Sequence, residues 1–377
     1  MGPSGSGKTS LLNALSQRIG LSAGSFTEGE IMINRIVAER GDYGKVGAFV
    51  QQDDVLQATY TVRELFEFAA NIRTTMRQEE LKQTVQDTIE TMGLHTCSDQ
   101  LIGGWLRRGI SGGERKRCSI GYEMITKPSL LLLDEPTSGL DSSTALKIVQ
   151  LLKRQARRGM TVLATIHQPS SDLFMLFDRV ILLSEGHTVY NGPPRMVKPY
   201  FEAFGLQMSN YSNPADKLSI IASMPRTVLR SDTTIELLAS ACLEQLVEHT
   251  ILKEDEKRDW ERKLNTRFSV IARQREVSFC LQWWLLYKRF MIYTWRNPIS
   301  ILFLVFLVFF TAFLHASIFG GIGAEQFNTN PFDKTAYSKN VEIVGNLIGM
   351  SFLVCSDQFI NMLFGQIMQI PQYNPIF

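Results

Sequence analysis

Cysteine is scarce in this chain, with five among 377 residues. They stand scattered at Cys97, Cys118, Cys242, Cys280 and Cys355, an odd set without metal-site spacing. That pattern excludes a disulfide scaffold and a zinc ribbon and fits a reducing compartment. A surplus of either charge is also missing: 39 Lys and Arg against 37 Asp and Glu leave a formal +2. No polybasic nucleic-acid arm or acidic tail therefore organises the chain. Repeats and low-complexity tracts are absent, and 45% of the residues are hydrophobic, which excludes a disordered or collagen-like polymer. At about 150 residues per domain, the length implies two or three structural units.

One local absence overrides the balanced average. Between Arg296 and Glu325 there is no charged residue, and Ile299 to Phe319 is apolar almost throughout. As a helix that stretch would rise roughly 31 Å, enough to cross a bilayer core. It lies too far along the chain to be a signal peptide. Just before it, Trp283, Trp284, Tyr287, Tyr293 and Trp295 interleave with Lys288, Arg289 and Arg296. Aromatic anchors beside basic residues predict an interfacial helix over 279–298 with its basic side cytoplasmic. Beyond a polar loop from Glu325 to Asn340, a second apolar stretch runs over about 341–363 and contains Asp357. A carboxylate at that depth is a candidate for a bundle interior or a cargo path. The partial membrane region is thus 299–377, and the polar stretch 226–278, with mixed charges from Lys253 to Lys263, reads as a solvated helical linker.

The first 225 residues have another character. Short apolar runs at Glu30–Ile33, Val46–Val50, Leu130–Leu133 and Thr161–Ile166 alternate with helical spacing, including one long stretch from Val62 to about Met92. Arg179–Ser184, a Glu185-Gly186 turn and Thr188–Tyr190 predict a hairpin. Alternation of this kind predicts an α/β domain with a largely parallel sheet.

The chemistry sits at the ends of those runs. Gly2, Pro3, Ser4, Gly5, Ser6, Gly7, Lys8 and Thr9 satisfy G-x-x-x-x-G-K-[ST] immediately before a helical pattern. Phosphate oxygens need many donors at close range; glycines let backbone N–H groups converge, and the helix N-terminus adds its dipole. Lys8 is placed to neutralise the β and γ phosphates, and the Thr9 hydroxyl to ligate Mg²⁺. The run Leu130–Leu133 ends in Asp134 and Glu135, at the strand end where α/β folds hold ligands. Asp134 would hold the magnesium shell, while Glu135 would orient or deprotonate an attacking water. Ser111, Gly112 and Gly113 open a further helix, a second place where amides could meet a phosphate.

Together with Gln52, Glu114, the Ser138–Asp141 string and His167 in TIHQPSS, in this order, these motifs resemble the ATPase domain of ABC transporters. The resemblance implies an α/β P-loop domain over 1–225 followed by α-helical transmembrane segments. It implies that Gln52 senses magnesium and contacts the coupling region, that Ser111 to Glu114 form the signature, and that Ser138 to Asp141 form the D-loop. It further implies that His167 contacts the γ phosphate and that Asp141 belongs to the nucleotide interface. In such proteins ATP lies between the Walker A loop of one domain and the signature of another, so a homo- or heterodimer with another half-transporter is expected, with ATP and Mg²⁺ as cofactors.

The order of domains, with Asn213–Asp216 (NPAD), GERKR and TIHQPSS, is similar to the G subfamily, the White-type half-transporters. That implies an integral membrane exporter of lipids, sterols or other hydrophobic small molecules, surrounded by membrane lipids, with its ATPase domain cytoplasmic and no nucleic acid as partner. A soluble ABC-type ATPase acting on nucleic acid or ribosomes is excluded by the apolar span. Relatives have a strand and an adenine-stacking aromatic before the loop and further membrane helices after the second span. The expectation is therefore a chain truncated at both ends; the alternative is a transport-incompetent fragment that binds only nucleotide or a full-length partner.

Overall fold

A computed structural model describes residues 1–18, 28–33, 36–38, 41–104, 107–206 and 277–297, with isolated positions at 215, 217, 218, 221, 238–242, 302, 303, 305–307, 309, 310 and 313. Most of the expected linker and the whole second apolar stretch, Asp357 included, lie outside these residues. The chain divides into two compact units, 1–282 and 283–377.

In the first unit, α1 (Lys8–Leu15) leaves the glycine-rich loop. A short antiparallel pair follows, β1 (Met32–Ile33) and β2 (Ile36–Val37). Next come α2 (Asp42–Val46) and β3 (Gly47–Val50), locked together by the Tyr43 hydroxyl donating to the Ala48 carbonyl at 2.6 Å. The helical stretch expected to run unbroken to Met92 is two helices, α3 (Val62–Arg73) and α4 (Gln78–Met92). The break has a local cause. Thr74 turns extended at φ −137°, and both its N–H and its hydroxyl donate to the Ala70 carbonyl, ending the ladder there.

The helical hairpin packs on α5 (Gly112–Met124). Contact is close enough to need glycine: a Cβ at Gly121 would lie 2.5 Å from Phe66 Cζ and 3.0 Å from Met92 Cγ. After α5 come β4 (Leu130–Leu133), α6 (Ser142–Arg157), β5 (Thr161–Ala164) and α7 (Ser171–Phe174).

The sheet β3-β4-β5 is parallel, as the alternation predicts. Its register aligns Val50 with Leu133 and Leu133 with Ala164, so the three strands end at one level. Everything that follows a strand, namely Gln52, Asp134 with Glu135, and Thr165 with His167, therefore emerges along one edge. The strand β4 lies in the middle with Leu131, Leu132 and Leu133 buried, each such leucine contributing roughly 1.5–3 kcal/mol. On α6 the buried residues Ala145, Ile148, Val149, Leu151 and Leu152 form one amphipathic face.

The expected hairpin is present as β6 (Val180–Ser184) and β7 (His187–Gly192), turning through Glu185 and Gly186 at φ 47° and 82°. It packs with α8 (Val197–Ala203) and Phe174 around a buried cluster that includes Phe201 and Leu218. The Leu183 N–H donates to the Met1 carbonyl at 2.8 Å, and the Met1 amine to the Ile181 carbonyl at 2.6 Å, fixing the start of the phosphate loop against β6.

The helix α9 (Phe279–Arg296) buries none of its residues. Trp283 and Tyr287 stack at 5.7 Å with planes 7° apart, in the interfacial stretch read from sequence. Among the described residues no helix is long and apolar enough to cross a membrane. Of the expected first span only 302, 303, 305–307, 309, 310 and 313 are described; they are helical and leave Phe303, Phe306, Phe309 and Phe313 exposed.

Candidate active site

The glycine-rich loop takes a conformation that side chains resist. Gly5 and Gly7 have φ 78° and 94°, and a Cβ on Gly2 would run into the Leu183 carbonyl and Ser6 Oγ. Lys8 follows as the first helical residue, and its ammonium turns back across the loop to donate to the Gly2 carbonyl at 2.9 Å and the Pro3 carbonyl at 2.7 Å. Ser6 Oγ is buried without a hydrogen-bond partner.

Opposite the loop, β4 delivers Asp134, only 5% exposed. Its Oδ1 accepts from the Thr9 hydroxyl at 3.2 Å and from the Thr165 hydroxyl at 2.6 Å. Thr165 Oγ1 in turn accepts from the Glu135 N–H at 2.8 Å, so one buried hydroxyl orients both members of the acidic pair. The Glu135 carboxylate accepts from Gln52 Nε2 at 3.1 Å. Five residues from four segments thus form one hydrogen-bonded network at the strand ends.

One member of this network and one residue beside it carry backbone strain. Glu135 and Gln168 adopt φ 42° and 43°, a left-handed conformation unfavourable for non-glycine residues, directly after Asp134 and His167. The turns aim Glu135 and His167 into an open cleft of about 740 Å³ lined also by Ser4, Gly5, Gly7, Lys8, Thr9, Gln52, Ser138 and Leu140. That volume suits a nucleotide-sized ligand. A smaller, mainly apolar cavity of about 310 Å³ lies between β5 and β6, lined by Leu11, Leu12, Val162 and Ile181. Its lining also includes Lys8, Lys153, Asp178 and Arg179, but Gly5, Gly7, Gln52, Glu135 and His167 line only the cleft.

The residues in the cleft suit a phosphate with a hard cation. Thr9, Asp134 and Glu135 offer oxygen donors, the glycine-rich turn presents backbone amides, and the orphaned Ser6 hydroxyl marks a polar position still lacking a partner. No group of three His, Cys, Asp or Glu side chains able to hold a metal occurs among the described residues.

The second set of expected residues does not join the cleft. Ser111 caps α5 in a capping box: its hydroxyl accepts from the Glu114 N–H at 3.3 Å and donates to Glu114 Oε2 at 2.7 Å, while the Ser111 N–H donates to the same oxygen at 2.8 Å. These bonds, the Ser111 hydroxyl foremost, hold the Glu114 carboxyl below its ordinary value. Ser111 and Gly112 are exposed, and Gly113 lies so close to α6 that a Cβ there would meet Thr144 Cγ2 at 2.5 Å. Asp141 caps α6, accepting from the Thr144 N–H at 3.0 Å and the Ser143 hydroxyl at 2.8 Å. Bonds from Thr144 and then Ser143 hold its carboxyl well below the usual range. One copy of the chain therefore assembles Gly5, Gly7, Lys8, Thr9, Gln52, Glu135 and His167 around a cleft with Asp134 behind it, and leaves Ser111 to Glu114 and Asp141 outside.

Thr165 is the site residue that motif reading missed. Its only sequence signal is its place two residues before His167, since its partners lie about thirty residues away.

A phosphate loop, an acidic strand end and a separate exposed serine-glycine helix start define a P-loop nucleotide-binding domain of the ABC type. Comparison with known families agrees. Residues 1–138 match the family described as ABC transporter, and residues 167–255 match ABC-2 type transporter. Both matched families are of ABC transporters, and the relatives the chain resembles are G family members. It is 48% identical over 218 residues to ABC transporter G family member 13 of Arabidopsis thaliana, covering 57% of this chain and 32% of that protein. To the broad substrate specificity ATP-binding cassette transporter ABCG2 of Mus musculus it is 44% identical over 221 residues, 57% of this chain and 33% of the relative. To ABC transporter G family member 26 of Arabidopsis thaliana it is 38% identical over 297 residues, 75% and 42% of the two chains. The chain thus spans between about a third and two fifths of the length of these relatives. The ABC-2 match includes the β6–β7 hairpin and ends before the apolar stretch at 299.

Proposed function

We propose that the protein binds ATP with magnesium and hydrolyses it as the nucleotide-driven half of a membrane exporter for hydrophobic small molecules, with lipids and sterols as the cargo class. One observation carries the reading: the Thr9–Asp134–Thr165–Glu135–Gln52 network, buried at Asp134 and Thr165 and open to the cleft at Thr9, Glu135 and Gln52, beside a glycine-rich phosphate loop. Thr9, Asp134 and Gln52 are the residues that would hold Mg²⁺, which when bound offsets charge on the β and γ phosphates. The loop amides and Lys8 bind and orient the phosphates. Glu135, held by Gln52 at its carboxylate and by Thr165 at its backbone, accepts the proton of the attacking water, and His167 donates to the terminal phosphate. The exposed Ser111 end of α5 serves the nucleotide of a second half-transporter, so two chains complete two sites.

Support for a membrane setting comes from α9, whose Trp283, Trp284 and Trp295 are exposed, and from the exposed phenylalanines at 303, 306, 309 and 313. The basic residues of α9 favour the ATPase domain on the cytoplasmic side.

The decisive experiment is ATP hydrolysis by the membrane-reconstituted full chain and by its Glu135→Gln variant. Loss of roughly 100-fold or more in rate with ATP still bound is expected; equal rates would remove Glu135 from the chemistry. Specific activity should rise with protein concentration as dimers form. A chain that binds ATP at every concentration but never hydrolyses it would instead support the nucleotide-binding fragment.

A further inference from the structure

A lysine is seldom buried without a partner. Lys116, on α5 and five positions beyond Ser111, is 4% exposed. Its ammonium donates to the Gln52 carbonyl at 2.8 Å and lies 2.7 Å from Asp54 Oδ1, as an ion pair off the axis of a directional hydrogen bond. The two side chains are 5% and 15% exposed, so the pair is well removed from solvent. Residues 51–57 form neither helix nor strand, and the Val55 and Leu56 N–H groups bond only two residues back, to the Asp53 and Asp54 carbonyls. Such local bonds shape a loop without fixing its place; Lys116 supplies a tertiary anchor for it.

The anchored residue is the one that holds the acid. Gln52 offers its carbonyl to Lys116 and its side-chain amide to Glu135. A contiguous line therefore runs from the Ser111 end of α5 through Lys116 and Gln52 to Glu135. We propose that Lys116 is a positioning residue that makes the Gln52 loop move with the signature helix, so that engagement of the exposed Ser111 end is relayed to the Gln52–Glu135 contact that the single chain already makes. Lys116 touches no reacting atom; it acts through Gln52. The functional half of this inference rests on the reading that the cleft hydrolyses ATP, whereas the mechanical half does not.

Lys116→Met alone leaves Asp54 as an uncompensated buried charge and risks misfolding. The test therefore pairs it with Asp54→Leu, which removes both charges while keeping the volume apolar, and with Lys116→Arg, which keeps the cation. Amide exchange is followed by mass spectrometry on the full chain in lipid nanodiscs. In the Lys116→Met/Asp54→Leu variant, residues 52–56 should exchange at least tenfold faster while β4 stays protected as in wild type. In the same preparation kcat should fall roughly tenfold to a hundredfold, as expected for a displaced positioning contact. KM for ATP should change less than threefold, and the Mg²⁺ concentration for half-maximal rate should rise several-fold. Lys116→Arg should recover part of the protection and part of the rate. A folded double variant with wild-type exchange at 52–56 overturns the anchor. Faster exchange with unchanged kcat and Mg²⁺ dependence overturns its role in the reaction. A wild-type chain that neither binds nor hydrolyses ATP removes the functional reading instead, and the exchange experiment still decides whether Lys116 holds the loop.

Discussion

The cleft and the start of α5 are built in opposite ways. Around the cleft, Lys8 and Asp134 are buried, and the contacts of the acidic pair reach across the fold, from Asp134 to Thr9 and Thr165 and from Glu135 to Thr165 and Gln52. At the signature, Ser111 is exposed and spends its hydrogen bonds on its own helix through Glu114. The first region is organised before any ligand arrives. The second is a well-capped helix end that lies outside the cleft. The difference teaches that the chain preassembles one polar cleft and leaves the Ser111 end of α5 apart from it, the division that the dimer proposed above would use.

The strongest way to break this contrast is to disarm the organised side. Lys8→Met should weaken ATP binding about 100-fold, because a charge-assisted contact contributes roughly 1.5–3 kcal/mol. Titration with a fluorescent ATP analogue checks it, and a change below threefold would mean that the loop is not the phosphate site. Thr165→Val is the next step down. It strips a buried partner from both the Asp134 carboxylate and the Glu135 N–H and should cost about 2 kcal/mol of stability. The rate should drop about tenfold while ATP affinity holds, measured by denaturant unfolding and steady-state kinetics.

Ser111→Ala sharpens the other side. Loss of the cap should cost about 1 kcal/mol of stability and leave ATP affinity of the monomer unchanged. The concentration-dependent part of hydrolysis should fall; an altered monomer affinity would place Ser111 in the cleft after all.

The smallest effect is on pH. Glu114 and Asp141 have carboxyls depressed from 4.5 and 3.8 by their capping bonds. Their contribution is thus present above those values and lost as pH falls through the lower folded ones. Amide exchange at the starts of α5 and α6 should accelerate below about pH 4, before β4 opens. Unchanged protection there down to pH 2 would rule the caps out as pH-dependent.

Much of the organised side was legible in the sequence because its residues announce themselves in contiguous strings. The glycines before Lys8 have no common use except a turn around an anion, and Leu130 to Leu133 can hardly be anything but a buried strand ending in Asp134. Register did the rest, since parallel strands ending level bring Gln52 and His167 to the same edge. What was not legible depends on partners distant in sequence. Thr165 resembles any strand-end threonine until its hydroxyl is seen between Asp134 and Glu135, and Lys116 resembles any helix-surface lysine until Asp54 closes over it. Apolar periodicity continued past Thr74, so the break there depended on a side-chain bond to Ala70 that spacing does not report. Ser111 and Gly112 were readable as an exposed helix start, yet only the family resemblance, not the string itself, implied that they would lie apart from the loop.

The ammonium of Lys8 has three donor directions, and the Gly2 and Pro3 carbonyls already take two. A long side chain that ordinarily loses about 2 kcal/mol of rotamer entropy on being immobilised has incurred most of that loss when the chain folds. An arriving phosphate then meets a cation with a single unspent N–H, aimed by its own loop. Recognition at this point becomes a matter of direction as much as of charge, and a ligand with an oxygen slightly out of line would forfeit the entropic advantage along with the bond.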